Sequence, residues 1–145
     1  MAAHAASSSH STQDSGQLRV VVVTPEQTVL EATTDFVALP LYDGELGVAP
    51  KHAPMIGRLG YGELRIGHGG GQRYYIDGGF VQVVDNVVSV LTNRAIPAAR
   101  LDEAKIKESV SFLLTQPAAG DDDLVRREKA LTQTRAQLRV AQAAK

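Results

Sequence analysis

The chain of 145 residues carries 15 basic and 16 acidic side chains, for a formal net charge of −1, and contains neither Cys nor Trp. This excludes a disulfide scaffold, a thiolate metal site, a cysteine nucleophile and a global field for gripping nucleic acid. No apolar run approaches the roughly 20 residues of a membrane-spanning helix, and 43% hydrophobic content with three Phe predicts a packed, aliphatic core.

Residues 1–16 are small and polar, without Lys or Arg. They have neither the basic start and apolar centre of a secretory signal nor the arginines of a transit peptide, and are expected to be a disordered tail. Residues 17–97 change character. Eleven of the 13 glycines lie between Gly44 and Gly79, with β-branched residues clustered among them. Short strands are predicted at 18–23, 28–32, 35–40, 62–67, 72–77, 79–84 and 86–91, spaced by turn residues as in a sandwich or barrel. The four valines at 20–23 suit a strand covered on both faces. Alternation in Glu63-Leu64-Arg65-Ile66 points Leu64 and Ile66 inward. Asp85-Asn86 suits a two-residue hairpin turn, because both residues tolerate positive φ.

Beyond Pro97 the period becomes helical. Ile106, Val110, Leu113 and Leu114 fall on one stripe of a first helix. Residues 115–120 (TQPAAG) end it, since Pro117 cannot continue a helix and Gly120 can turn the chain. Asp121, Asp122 and Asp123 then supply the negative charge that a helix start favours, and Leu124, Leu131 and Leu138 recur every seven residues along a second helix. Residues 98–145 are therefore read as a helical hairpin. From Leu124 to Lys145 there are six basic residues (Arg126, Arg127, Lys129, Arg135, Arg139, Lys145) against the single acidic Glu128, a balance of +5. Three readings fit that excess: a solvated face, a helix that docks on an acidic protein surface, or adsorption to a membrane. The last is weakened by Ala and Thr where deep anchoring needs Phe or Trp.

Catalytic signatures are missing. There is no GxxxxGK[ST] loop, HExxH or GxSxG. Gly67-His68-Gly69-Gly70-Gly71 lies between two strands with no following helix to hold an anion, and reads as a hairpin loop. His4 and His10 are in the tail, and His52 and His68 are in separate loops without a third ligand, so no metal site is expected. Asp43 and Glu45 flank Gly44, where carboxylates more often solvate a turn than catalyse. The residues describe a binding or structural module that needs no cofactor.

The segment Asp43-Gly44-Glu45-Leu46-Gly47-Val48-Ala49-Pro50-Lys51-His52-Ala53-Pro54-Met55-Ile56 resembles the GELGI-x-PGHAPL signature of the epsilon subunit of F-type ATP synthases. VVVVTP at 20–25 resembles that family's opening strand, GELRI at 62–66 a later one, and IDGGFVQV at 76–83 its SGGFLEV. VSVLTNRAI at 88–96 and AQLRV at 136–140 extend the match. The resemblance implies a ten-stranded β-sandwich followed by an antiparallel two-helix hairpin. It also implies a non-catalytic place in the central stalk, bound to the gamma subunit and the c-ring, with proton flow coupled to ATP synthesis. On it Asp43, Glu45 and His52 become c-ring-facing candidates, with a loop-closing hydrogen bond as the alternative for His52. Arg126, Arg127, Lys129, Arg135 and Arg139 become candidates for meeting the alpha and beta subunits of the catalytic head and restraining ATP hydrolysis. Family members that bind ATP carry [IL]-D-x-x-R-A at the start of the first helix. The corresponding Leu101, Asp102 and Lys105 depart from it, with Lys for Arg and Ile106 for Ala, so tight ATP binding is not expected. The implied location is peripheral, on the cytoplasmic face of a bacterial inner membrane, with no direct membrane insertion. A free-standing ligand-binding sandwich is the competing class, supported only by the Gly-rich loops.

Overall fold

The computed structural model describes residues 16–69 and 71–143; the predicted tail lies almost wholly outside them. The described residues form eight strands: β1 (Leu18–Val23), β2 (Thr28–Thr34), β3 (Val37–Leu41), β4 (Gly44–Val48), β5 (Met55–Ile66), β6 (Gln72–Val84), β7 (Val87–Leu91) and β8 (Ala95–Pro97). A 3-10 turn (Ala98–Arg100) then leads into helices α1 (Glu103–Thr115) and α2 (Asp121–Ala143). The sheet order is β2-β1-β7-β6-β5-β3-β4, with β8 also paired to β6. The β1–β7 pairing is parallel.

The expected count of ten strands is corrected to eight, and the reason lies in β5 and β6. The predicted strands 72–77 and 79–84 are one continuous strand of 13 residues, paired with the 12-residue β5 from Met55↔Val83 to Ile66↔Gln72. Along its length β6 changes partners. Its second half pairs with β7 and its first with β8, while β5 meets β3 at Leu59 and again at Arg65 and Ile66. Two strands thus each take part in both halves of a sheet that folds back on itself.

The bend sits at Gly60 and at Gly78–Gly79, and it exchanges the faces of the ribbon. On one side of it the core takes Leu59, Val81 and Val83, which are odd-numbered; on the other it takes Leu64, Ile66 and Ile76, which are even-numbered. A regular strand keeps one parity on one face, so the glycines absorb the exchange. Gly78 and Gly79 have φ of +71° and +108°, and a Cβ on Gly79 would lie 1.9 Å from the Leu91 carbonyl oxygen. Only glycine allows the backbones to approach this closely.

The main core is aliphatic. Leu18, Val20 and Val22 of β1 face Val37 and Leu39 of β3, joined by Val48, Val88 and Val90. Leu64 and Ile66 point inward as their alternation predicts. Double coverage of the valine run is corrected: Val20 and Val22 are buried, but Val21 and Val23 are only half-buried. The Asp85-Asn86 turn has φ of 50° and 62°, the paired positive values of a two-residue hairpin turn. The GELG of the signature lies in strand β4, and only residues 49–54 form the connection to β5.

In the helical part the chain breaks where Pro117 and Gly120 predict. Ile106 is buried and Val110 and Leu113 are half-buried, but Leu114 is exposed, so the predicted stripe loses its last member. α2 lies on the outer face of the β5–β6 ribbon. There Ala136 and Val140 pack in a second cluster with Tyr75 and Ala98, edged by Tyr61, Ile96 and Leu101. Replacing Gly79 by Ala should cost more than about 2 kcal/mol, since it forces both a left-handed side chain and a displaced β7; urea denaturation of the full chain checks this.

Candidate functional site

Three surfaces carry the chemistry. The first is a bare apolar face on the half of the ribbon that α2 leaves uncovered. Arg58, Phe80 and Leu91 lie in one cross-strand row, with Ile56 of β5 two positions away on the same face. Phe80 is 58% and Ile56 76% exposed, and Tyr42 beside them is 69% exposed with the Arg58 guanidinium stacked 4.4 Å from its ring centre. Exposure of this much contiguous apolar side chain, rimmed by polar groups, marks a partner-binding surface. A groove at the bend, about 760 Å³, runs along this face from Pro25 and Tyr42 past Gly78 and Gly79 to Lys129 of α2. The sequence reading missed these residues. The available signal was Phe80 alternating outward between the inward Val81 and the glycine pair.

The second surface holds the signature residues, which no mutual hydrogen bond or ion pair joins. Asp43 is exposed in the β3–β4 turn. Glu45, in β4, accepts from Arg65 Nη2 at 2.9 Å, and Arg65 also approaches Glu63. This ladder continues to Arg73 and borders a groove shared with Arg139 of α2. His52 lies beyond the other end of β4, in the 49–54 connection. Its Nδ1 is 2.7 Å from the carbonyl oxygen of the next residue, Ala53. The same connection is tied to the β6–β7 turn by the Lys51 amide, which donates to Asn86 Oδ1 at 2.7 Å. Lys51 stands where the GELGI-x-PGHAPL signature has glycine, and it adopts φ 68°, the conformation glycine supplies without steric cost. The Asn86 bond offsets part of that strain.

The third surface is α2 itself. Arg126, Lys129, Arg135 and Arg139 are exposed, whereas Arg127 donates to the Gln116 carbonyl oxygen at 2.9 Å and closes the end of α1. The C-terminal end of α2 is held by Arg73, which donates to the Ala143 carbonyl oxygen at 2.8 Å. Beneath the helix, Tyr75 donates to Asp77 Oδ1 at 2.6 Å. Burial first, and then this hydrogen bond to the carboxylate, push the Tyr75 hydroxyl far above the usual phenol range, so it remains a donor.

At the start of α1, Asp102 is the N-cap, accepting from the Ala104 and Lys105 amides at 3.1 and 3.3 Å. Two of the first-turn amides that could hold a phosphate are thus occupied by the chain's own carboxylate. Leu101 packs at the edge of the Tyr75 cluster and Lys105 is exposed. Among the described residues no group of three or more His, Asp or Glu side chains is placed to hold a metal ion, and no helix is long and apolar enough to cross a membrane.

The family model described as "ATP synthase, Delta/Epsilon chain, beta-sandwich domain" matches residues 17–98. The ATP synthase epsilon chain of Rhodopirellula baltica is 49% identical over 125 residues, 86% of this chain and 98% of the relative. This chain belongs to the ATP synthase epsilon-chain family. That of Janthinobacterium sp. is 35% identical over 129 residues, covering 87% of each chain. Among solved structures, a chain from Euglena gracilis mitochondrial ATP synthase (OSCP/F1/c-ring) superposes with a TM-score of 0.75 at 23% identity, covering 83% of this chain and 79% of that one. One from the central stalk and c-ring of the Tetrahymena thermophila enzyme gives 0.66 at 16% identity, covering 86% and 96%. At those identities the likeness establishes the fold.

Within this family the φ of Lys51 makes a specific statement about stability. Lys51→Gly should raise the unfolding free energy by about 1 kcal/mol while leaving the Asn86 hydrogen bond intact, measured as a shift in denaturation midpoint at constant m-value.

Proposed function

We propose that this chain is a non-catalytic subunit of the central stalk, coupling proton movement through the c-ring to ATP synthesis and restraining ATP hydrolysis through its helices. The observation that carries the reading is the family match over nearly the whole length of the Rhodopirellula relative, helices included. The geometry supports it by offering separate faces for separate partners.

The bare face around Tyr42, Ile56, Phe80 and Leu91 is assigned to the gamma subunit, since a permanent partner is what keeps such a face out of water. Asp43, Glu45 and His52 are assigned to the c-ring. Lys51, which shares the loop with His52 and is held in a strained shape, belongs with them. Glu45 would meet its partner already paired with Arg65, which favours orientation over raw affinity. Arg126, Arg127, Lys129, Arg135 and Arg139 are assigned to acidic surfaces of the alpha and beta subunits. Four of the five project into solvent while α2 rests on the sandwich, so they are displayed before any rearrangement. The first turn of α1, with Leu101, Asp102 and Lys105, is assigned a capping role rather than a tight nucleotide site. The chain would then work peripherally, on the cytoplasmic face of a bacterial inner membrane.

Two measurements test these assignments. Phe80→Glu places a charge at the centre of the apolar face without touching the core, and should weaken co-purification with gamma at least tenfold while the isolated chain stays folded. Retention of wild-type binding would remove the face from the gamma assignment. Deleting residues 101–145 should raise ATP hydrolysis by the reconstituted complex several-fold with assembly intact; unchanged hydrolysis would sink the inhibitory role.

A further inference from the structure

Asp77 is a charged residue 95% removed from water on the ribbon face that α2 covers. Its own strand and the 92–94 segment hold its backbone. The Asp77 amide donates to Thr92 Oγ1 at 3.2 Å and to the Arg94 carbonyl oxygen at 3.1 Å, and Asn93 Nδ2 donates to the Asp77 carbonyl oxygen. The carboxylate itself gathers three donors. Oδ1 accepts from the Tyr75 hydroxyl and, at 3.0 Å, from Gln133 Nε2 of α2; Oδ2 faces Arg94 Nε at 3.4 Å. Two of these donors belong to the sandwich side. Gln133 comes from the helix.

The rest of the α2 contact is thin. Its buried residues are Leu131, Ala136, Val140 and Ala141, two of them alanines with little apolar surface to bury. Against this apolar contact with Tyr75 and Ala98, the hydrogen bond to a buried carboxylate adds a directional tie, and losing its donor leaves the carboxylate less well satisfied. Another polar tie, Arg73 to the Ala143 carbonyl oxygen, is ten residues further along, about 15 Å of helix. With Gln137 reaching the Tyr75 hydroxyl between them, ties spread over that length fix both the position and the direction of α2. Asp77 also falls where the family's SGGFLEV run has serine, so the carboxylate distinguishes this chain from that pattern.

We propose that Asp77 and Gln133 form a latch that fastens the C-terminal helix to the sandwich and sets how often it detaches. Arg94 and Tyr75 hold the carboxylate in place, and Gln133 is the part that leaves with the helix. The latch concerns docking alone, so it is independent of whether the released hairpin inhibits hydrolysis.

Hydrogen exchange on the full chain tests it, reading the α2 amides of residues 131–141 against those of β1 and β7. Gln133→Ala should speed exchange of the α2 amides about tenfold or more, the factor expected of one hydrogen bond to a carboxylate, with β1 and β7 unchanged. Asp77→Ser should do the same, and the double variant should exceed neither single by more than about twofold, because both remove one interaction. Should Asp77→Ser also unprotect β1 and β7, Gln133→Ala, which alters only the helix, decides alone. Acceleration of less than twofold in Gln133→Ala, or multiplicative effects in the double variant, would overturn the latch.

Discussion

The β5–β6 ribbon and its glycine bend are the constraint on which everything else depends. A twisted pair of strands this long cannot keep one face on a single small core. By exchanging faces at Gly60 and Gly78–Gly79, the ribbon gives Leu59, Val81 and Val83 to the core on one side and Leu64, Ile66 and Ile76 on the other. The outward positions are exchanged too. Phe80 and Ile56 come to the bare face, and Tyr61, Tyr75 and Asp77 come to the face beneath α2. One covalent ribbon thereby supplies the interior, the apolar partner face and the seat of the helix. The approach of Gly79 to the Leu91 carbonyl shows how little room the bend leaves.

Charge is distributed with the same economy. In a chain with a formal balance of −1, α2 is polarised along its length: Asp121, Asp122 and Asp123 at its start, then Arg126, Arg127, Lys129, Arg135 and Arg139 against Glu128 alone. Several sandwich carboxylates are paired within the sandwich: Glu45 and Glu63 with Arg65, Glu63 again with Arg73, and Asp77 with Arg94. The near-zero total therefore argues against a nucleic-acid partner without arguing against an acidic protein one. Separation within the fold matters more than the sum.

What could be read from the sequence was what depends on short-range rules. The change of period at Pro97, the positive-φ turn at Asp85-Asn86 and the inward alternation of Leu64 and Ile66 each follow from a few neighbouring residues, and the structure agrees with all three. The strand count did not follow, because a glycine pair reads as a turn whether the chain reverses there or merely bends. Val21 and Val23 were misplaced because a β-branched run looks the same beside a second layer or beside solvent. Leu114 is misplaced because eight residues carry it about 80° around the helix from Ile106, to the edge of the stripe, whereas Leu113 at about 20° stays half-buried. The signature residues were found through the family pattern, yet their division between β4 and the 49–54 connection was not evident, since glycines suit strand and loop alike. Asp77 gave no local signal: an Asp before two glycines is an ordinary surface motif until a helix some 56 residues later covers it.

The contact between α2 and the sandwich sets Ala136 and Val140 over a tyrosine ring and a carboxylate. Small side chains on the helix let its backbone lie close to the ribbon, so that groups of α2 come within hydrogen-bond reach of Asp77 and Arg73. The large apolar member of the contact, Tyr75, is supplied by the sheet and is fully buried. A leucine-rich helix face would have stood further off and left those polar groups to water. The slimness of the helix side is thus what makes the polar ties possible.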